Sequence, residues 1–135
     1  MPRQTELNRI SVVAGILVDE SDAVLIADRA QSTSMQEFWE FPGGKVADGE
    51  SRMDALEREL REELGIETDA ARHFTRIEHD YPDLSVSIDF YIVERWRGEP
   101  QGREGQQVAW VNRQDLANAG LLPADSPVVE ALLRD

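Results

Sequence analysis

The sequence predicts an α/β protein in which helices pack against a mixed β-sheet, and three stretches carry that expectation. Residues 10–18 (ISVVAGILV) are apolar on both faces, as a central strand is. Val86, Ile88, Phe90 and Ile92 alternate with Ser85, Ser87, Asp89 and Tyr91, the period-two pattern of a strand with one face on the core. Between them, Met53, Leu56, Leu60 and Leu64 recur at spacings of three and four, the buried stripe of an amphipathic helix over residues 51–64.

The remaining elements follow in chain order. Asp19, Glu20, Ser21 and Asp22 read as a turn into a second strand at 23–27. Ser51 can cap the start of the helix, Asp54 is a shorter variant of the capping-box acid, and Gly65 suits the left-handed residue that ends it. A further strand is expected at 72–79, ahead of the alternating one. Residues 98–106 form a glycine-rich loop before a short strand at 108–111. Asn112 can cap a short helix, and Ser126-Pro127 opens a last helix carrying Val128, Val129, Leu132 and Leu133. Trp96 and Trp110 are expected in the core, His73 and His79 on the strand surface. Early strands, a helix, more strands, then helices give a mixed sheet sandwiched by helices.

With 135 residues and a 41% hydrophobic share, the chain can bury one core, so a single domain over 1–135 is expected. It ends on a helix at Arg134-Asp135, which also fits one half of a longer fused protein. The absence of cysteine excludes disulfides and thiolate zinc sites. No apolar run approaches the roughly 20 residues of a membrane span, and residues 1–8 are polar and unlike a signal peptide, so a cytoplasmic protein is expected. A formal net charge of −13 argues against binding a nucleic-acid polymer through its backbone. A polyphosphate ligand must therefore arrive with metal.

Residues 44–66 read GKVADGESRMDALERELREELGI and fill every specified position of G-x5-E-x7-R-E-U-x-E-E-x-G-U, with U apolar. On the helix, Glu59, Glu62 and Glu63 fall within an arc of about 100°, so three carboxylates share one face. Like charges so placed raise one another's pKa, and divalent cations reverse that cost. Hard oxygen donors favour Mg²⁺, with Mn²⁺ as a substitute, and magnesium binds carboxylates together with substrate phosphates. The plain alternative is a solvated Glu/Arg face held by pairs such as Glu57 with Arg61. The preceding Pro42-Gly43-Gly44 turn and the complete spacing decide for the metal reading.

This pattern resembles the signature box of the Nudix hydrolases. Outside the box, the likeness extends to the MutT branch through Trp39-Glu40-Phe41-Pro42-Gly43-Gly44-Lys45, Tyr81-Pro82-Asp83, Val93-Glu94-Arg95-Trp96, Gly98-Glu99-Pro100, Glu104-Gly105-Gln106 and Pro123-Ala124-Asp125-Ser126-Pro127. The resemblance implies an α/β/α Nudix sandwich and an enzyme that hydrolyses a nucleoside triphosphate to the monophosphate and pyrophosphate. It implies metal ligation by Glu59, Glu62 and Glu63 with a carbonyl of Gly43 or Gly44. Glu104 would complete the metal shell or assist proton removal, Arg58 would orient the carboxylates, and Glu50 would support the loop. Glu59 is the first candidate for the general base and Glu104 the second. Arg29 and Lys45 are the candidate partners of the phosphates, and Phe41, Tyr81, Asp83, Leu84 and Asp125 the candidate surroundings of the base, with Tyr81 able to stack on it. The chain is expected to act as a monomer.

Three positions depart from the branch that takes 8-oxo-guanine nucleotides, in which asparagine stands at the position of Asp125, arginine at Leu84 and histidine at Ser34. An oxidised guanine presents an O6 acceptor beside an N7–H donor, and one amide can meet both. An ionised aspartate offers acceptors only and suits the amino group of cytosine better, unless it is protonated in a dry pocket. On overall likeness the lead substrate is 8-oxo-dGTP, converted to 8-oxo-dGMP, and Asp125 makes a cytidine-type triphosphate (CTP, dCTP or a 5-modified dCTP) the alternative. Asp125 could instead cap the last helix. A reading of another class, a non-catalytic nucleotide-binding module, is disfavoured by the intact carboxylate trio.

Overall fold

The computed structural model describes residues 9–134, so the polar segment 1–8 and Asp135 lie outside the described residues. In chain order the elements are β1 (Ile10–Leu17), β2 (Ala23–Asp28), β3 (Trp39–Glu40), β4 (Gly43–Lys45), α1 (Arg52–Leu64), β5 (Glu67–Tyr81), β6 (Leu84–Arg97), β7 (Val108–Asn112) and α2 (Ser126–Arg134). Two 3-10 turns, Arg113–Asn118 and Pro123–Asp125, precede α2. Four strands make a mixed sheet in the order β4-β1-β6-β5, in which β1 runs parallel to β6 while the other pairs are antiparallel. The strand foreseen at 23–27 does not join it: β2 centres a second, antiparallel sheet, β3-β2-β7. Among the described residues no helix is long and apolar enough to cross a membrane.

The two faces of the mixed sheet bury separate clusters. Ala14, Ile16, Val86, Ile88, Phe90 and Ile92 pack with Phe41, Leu116 and the α2 residues Val128, Val129 and Leu132. Val13, Leu17, Tyr91 and Val93 pack with Leu56, Leu60 and Leu64 of α1. The doubly apolar 10–18 stretch is thus the central strand its pattern implies. On β6 the pattern misled: from Asp89 to Val93 both faces are buried, because α1 covers the one that Ser85 and Ser87 leave half-open. The helix lies close to the sheet, and Leu60 sits 3.1 Å from where a methyl group on Gly15 would stand.

Local signals set the limits of α1. The Ser51 side chain accepts a hydrogen bond from Asp54 N–H, and Gly65 adopts φ +73°, a value that costs a residue with a Cβ about 1 kcal/mol or more. Four other expectations need correction. Strand β5 is longer than 72–79 and pairs with β6 through a hairpin whose turn is Pro82-Asp83. Asn112 precedes a 3-10 turn and makes no side-chain cap bond. Leu133 is 47% exposed, since the last helix buries only one stripe. Trp110 is 38% exposed and stacks on Trp96 with ring centroids 6.2 Å apart, a lid on the core and not a part of it.

One charge is buried on the α1 side of β6. Asp89, 2% exposed, accepts from Arg76 at 3.0 and 3.2 Å, meets His73 Nε2 at 2.8 Å and pairs with Arg52, from the first turn of α1, at 2.8 Å. His73 therefore has a structural partner and not merely a place on the strand surface. Burial raises the Asp89 pKa, but the hydrogen bonds and charges of its cationic partners outweigh that and hold it below the usual aspartate value. With the folded value below the unfolded one, this stabilisation is present above about pH 4 and vanishes as pH falls through the folded value. Asp89→Asn is expected to cost about 1–2 kcal/mol near neutral pH, discounted because its three partners are half-exposed. Thermal unfolding in a pH series should show the gap between wild type and variant closing in acid; a gap independent of pH would refute the ionic origin.

Candidate active site

The glycine turn and the carboxylate helix are brought together by close backbone approach. Strand β4 pairs antiparallel with β1, Ala14 opposite Gly43 and Val12 opposite Lys45. A Cβ on Gly43 would run into the Val13 carbonyl oxygen, backbone that cannot yield, and one on Gly44 would push the Glu59 carboxyl from its place, so glycines let the turn lie against both. Arg58 then ties helix to turn. Its Nε and Nη2 donate to Glu50 at 2.7 and 2.9 Å, Nη2 also donates to the Lys45 carbonyl at 3.0 Å, and Nη1 donates to Glu59 at 2.9 Å. Glu50 in turn accepts from Ala47 N–H at 2.9 Å, and the Arg58 and Ala47 hydrogen bonds lower its pKa to about 2. Arg58 thus joins the turn, the loop acid Glu50 and the helix in one set of bonds.

The three box carboxylates are not equivalent, contrary to a simple shared solvent face. Glu62 is half-exposed and leans on Arg58 at 3.3 Å, Glu59 is mostly covered, and Glu63 turns inward. Like charges repel and Arg58 is the compensating charge at hand, so the trio spreads. Among the described residues no three acidic or histidine groups converge closely enough, as they stand, to hold an ion between them. Glu63 nonetheless has the mark of a cation ligand. Its Oε2 is buried without a hydrogen-bond partner, and burial together with the charges of Glu40, Glu59 and Glu104 raises its pKa to about 9, against one opposing hydrogen bond from Gly43 N–H. Burial likewise raises Glu59, against Arg58. Oxygen-only donors of this kind fit a hard divalent cation, whose charge would offset the cost of ionising both. Glu104, in the exposed loop after β6, lies near enough for its charge to add to the rise of both groups.

Beside the turn opens a cavity of 240 Å³ whose wall includes Arg29, Glu40, Phe41, Lys45, Tyr81, Leu84 and Asp125. Six of these were candidates from sequence, and Glu40 was not: it stood in the quoted run without a role. Asp83 is not brought there, because the hairpin tip carries it into solvent. Phe41 is buried edge-on against Phe90 at 5.9 Å. Arg29, named as a phosphate partner, donates to Glu40 at 2.6 Å and to the Ser34 carbonyl at 3.2 Å, which fixes it on the cavity wall; Lys45 stays exposed. The Tyr81 hydroxyl accepts from Ala124 N–H at 3.2 Å, holding the ring as a side wall. A larger cleft of 630 Å³ beside Trp96 and Trp110 includes none of the box residues.

Asp125 is the most unusual group of the cavity. It is 3% exposed with Oδ2 unpartnered, and among the described residues no hydrogen bond joins its side chain to the first turn of α2. Burial and the charge of Glu40 raise its pKa well above the ordinary value, against a hydrogen bond from Phe41 N–H and the charge of Arg29. The shift favours the neutral carboxylic acid, a form with one donor and one acceptor.

A carboxylate helix locked to a glycine turn, next to a pocket of base size, defines a metal-dependent hydrolase of phosphoanhydrides. The chain belongs to the Nudix family and is a MutT-like Nudix hydrolase: the model of the NUDIX domain matches residues 13–131. The protein named 8-oxo-dGTP diphosphatase of Escherichia coli (strain K12) is 37% identical over 128 residues, 95% of this chain and 99% of that one. A CTP pyrophosphohydrolase of the same organism is 33% identical over 127 residues, 94% and 93% of the two chains. A solved structure from work on MutT of Aliivibrio salmonicida and Vibrio cholerae superposes with a TM-score of 0.80 at 42% identity, covering 94% of this chain and 98% of that one.

Because the Glu63 value is raised on folding, its contribution favours the folded state fully below the unfolded value of 4.5 and is lost as pH rises towards about 9. Glu63→Gln removes that loss. In the EDTA-treated protein at about pH 8, the variant is expected to melt higher than wild type, and added Mg²⁺ or Mn²⁺ should raise the melting temperature of wild type alone. A variant that melts lower without metal and is still stabilised by it would contradict the assignment.

Proposed function

We propose that the protein is a Mg²⁺-dependent nucleoside triphosphate pyrophosphohydrolase, with Mn²⁺ as a substitute, that removes oxidised guanine nucleotides by converting 8-oxo-dGTP to 8-oxo-dGMP and pyrophosphate. The observation that carries the base preference is the Asp125 carboxyl in the cavity wall, buried with Oδ2 unpartnered, where burial favours its protonated form. Its hydroxyl can donate to O6 while its carbonyl oxygen accepts from N7–H, the pairing an amide would make. The names of the relatives point the same way, the 8-oxo-dGTP diphosphatase being the more similar of the two from Escherichia coli.

Glu59, Glu62, Glu63, Glu104 and a carbonyl of Gly43 or Gly44 would hold the metal, which when bound neutralises phosphate oxygens and acidifies water. Arg58 fixes the Glu59 carboxylate against the glycine turn, so that it need not reorganise as charge develops. Glu59 is the first candidate to take the proton of the attacking water and Glu104 the second. Lys45, exposed at the turn and lining the cavity, is the candidate partner of the phosphates, while Arg29 and Glu40 shape the wall that receives the base. The protein acts as a monomer in the cytoplasm in this reading.

A nucleotide panel with pyrophosphate detection tests it. Asp125→Asn should keep kcat/KM for 8-oxo-dGTP within about threefold, whereas Asp125→Ala, which leaves the base edge unpaired, should lose about ten- to a hundredfold. Raising the pH ionises Asp125 and removes the donor, so activity on 8-oxo-dGTP should fall in wild type and hold in Asp125→Asn. A strong gain of 8-oxo-dGTP over cytidine triphosphates in Asp125→Asn would show that the carboxyl is ionised and that the cytidine reading is right.

A further inference from the structure

The loop that carries Glu104 is fastened to the C-terminal end of α1. Gln101 N–H donates to the Leu64 carbonyl at 3.0 Å, and Arg103 N–H to the Glu63 carbonyl at 2.9 Å. These are backbone bonds, open to almost any residue. Gln106 adds a bond of another kind: its Nε2–H donates to the same Glu63 carbonyl at 3.1 Å, while its Oε1 accepts from the Glu104 backbone N–H at 2.9 Å. One primary amide is thus used at both ends, and its orientation is fixed by the partners, since the flipped amide would set donor against donor and acceptor against acceptor. Between Glu104 and Gln106, Gly105 at φ +86° reverses the chain so that the side chain can reach back. The bridge therefore runs from the backbone of one box carboxylate, Glu63, to the backbone of Glu104.

We propose that Gln106 is a positioning residue of the active site: its side-chain amide, spanning the Glu63 carbonyl and the Glu104 N–H, sets where the Glu104 carboxylate stands relative to the carboxylates of α1. This rests on the reading of Glu104 as part of the catalytic machinery. The requirement on the residue is narrow. Asparagine is one methylene shorter, glutamate has no donor for the Glu63 carbonyl, and methionine of similar length has neither group. An exposed loop held by this amide keeps Glu104 in register, and a displacement of about 1 Å at such a group is enough to lower turnover about a hundredfold.

A double-mutant cycle tests the proposal on the full chain. Gln106→Met is expected to lower kcat about ten- to a hundredfold with KM for the nucleotide within about threefold. In a Glu104→Gln background the same substitution should change kcat less than about twofold, because the group it positions is already disabled. A second readout needs neither metal nor nucleotide: amide hydrogen exchange at Glu104 should accelerate about tenfold or more in Gln106→Met while the amides of α1 keep their protection. Equal losses in both backgrounds, or unchanged exchange at Glu104, would overturn the proposal. Gln106→Asn guards against a folding defect in the first variant: it should behave as Gln106→Met does, and wild-type turnover from it would show that the bridge is not what matters. Full turnover of Glu104→Gln by itself would withdraw the role of Glu104, a failure seen before Gln106 is changed, and the positioning role with it.

Discussion

Arg58 is the group around which the site is assembled. A guanidinium presents five donors in a rigid plane, and here that fork reaches the turn through the Lys45 carbonyl, the loop acid through Glu50 and the helix through Glu59 and Glu62. A lysine could not serve these directions at once. The glycine at 44 completes the lock, because the Glu59 carboxyl occupies the space a side chain would need. Helix α1 is placed independently by Leu56, Leu60 and Leu64, all fully buried against β1 and β6. The apolar stripe sets the distance of the helix from the sheet, and Arg58 sets the approach of its acidic face to the turn.

Burial of acid is the second constraint. Glu40, Glu59, Glu63 and Asp125 all have raised pKa values with desolvation as the first cause. In a chain whose net charge is −13, placing four acids in and around one pocket works against stability, and such arrangements concentrate where chemistry is done. The two halves of the pocket resolve it differently. On the metal side, neighbouring carboxylates and an unpartnered oxygen call for a cation. On the base side, burial favours the protonated form of Asp125, which is a donor and an acceptor where the ionised form only accepts.

Much of this was legible in the sequence because it is local. The stripe of α1, its Ser51 and Gly65 caps and the box spacing are properties of one continuous stretch, and they fixed both the fold class and the reaction class. What was missed is non-local. The alternation in β6 shows an apolar face but does not say that α1 covers the other, nor that Arg52, His73 and Arg76 make burial of Asp89 tolerable. Strands β3 and β4 are too short to show any period. Glu40 has no signal beyond being an acid in a run of aromatics and glycines, and its partner Arg29 stands eleven positions away across a strand pair. The burial of Asp125 was open in the sequence and depends on a pocket built from segments far apart in the chain. Gln106 was visible only as part of a likeness.

The claim on which the rest stands is that the inward face of α1 receives a divalent cation. The most direct measurement is anomalous diffraction at the manganese edge from crystals soaked in Mn²⁺. A peak bounded by Glu59, Glu62, Glu63 and the Gly43-Gly44 turn, on the side of the Glu104 loop, is expected. A peak confined to other acidic surface groups, or none beside α1 in crystals that turn over nucleotide, would contradict it.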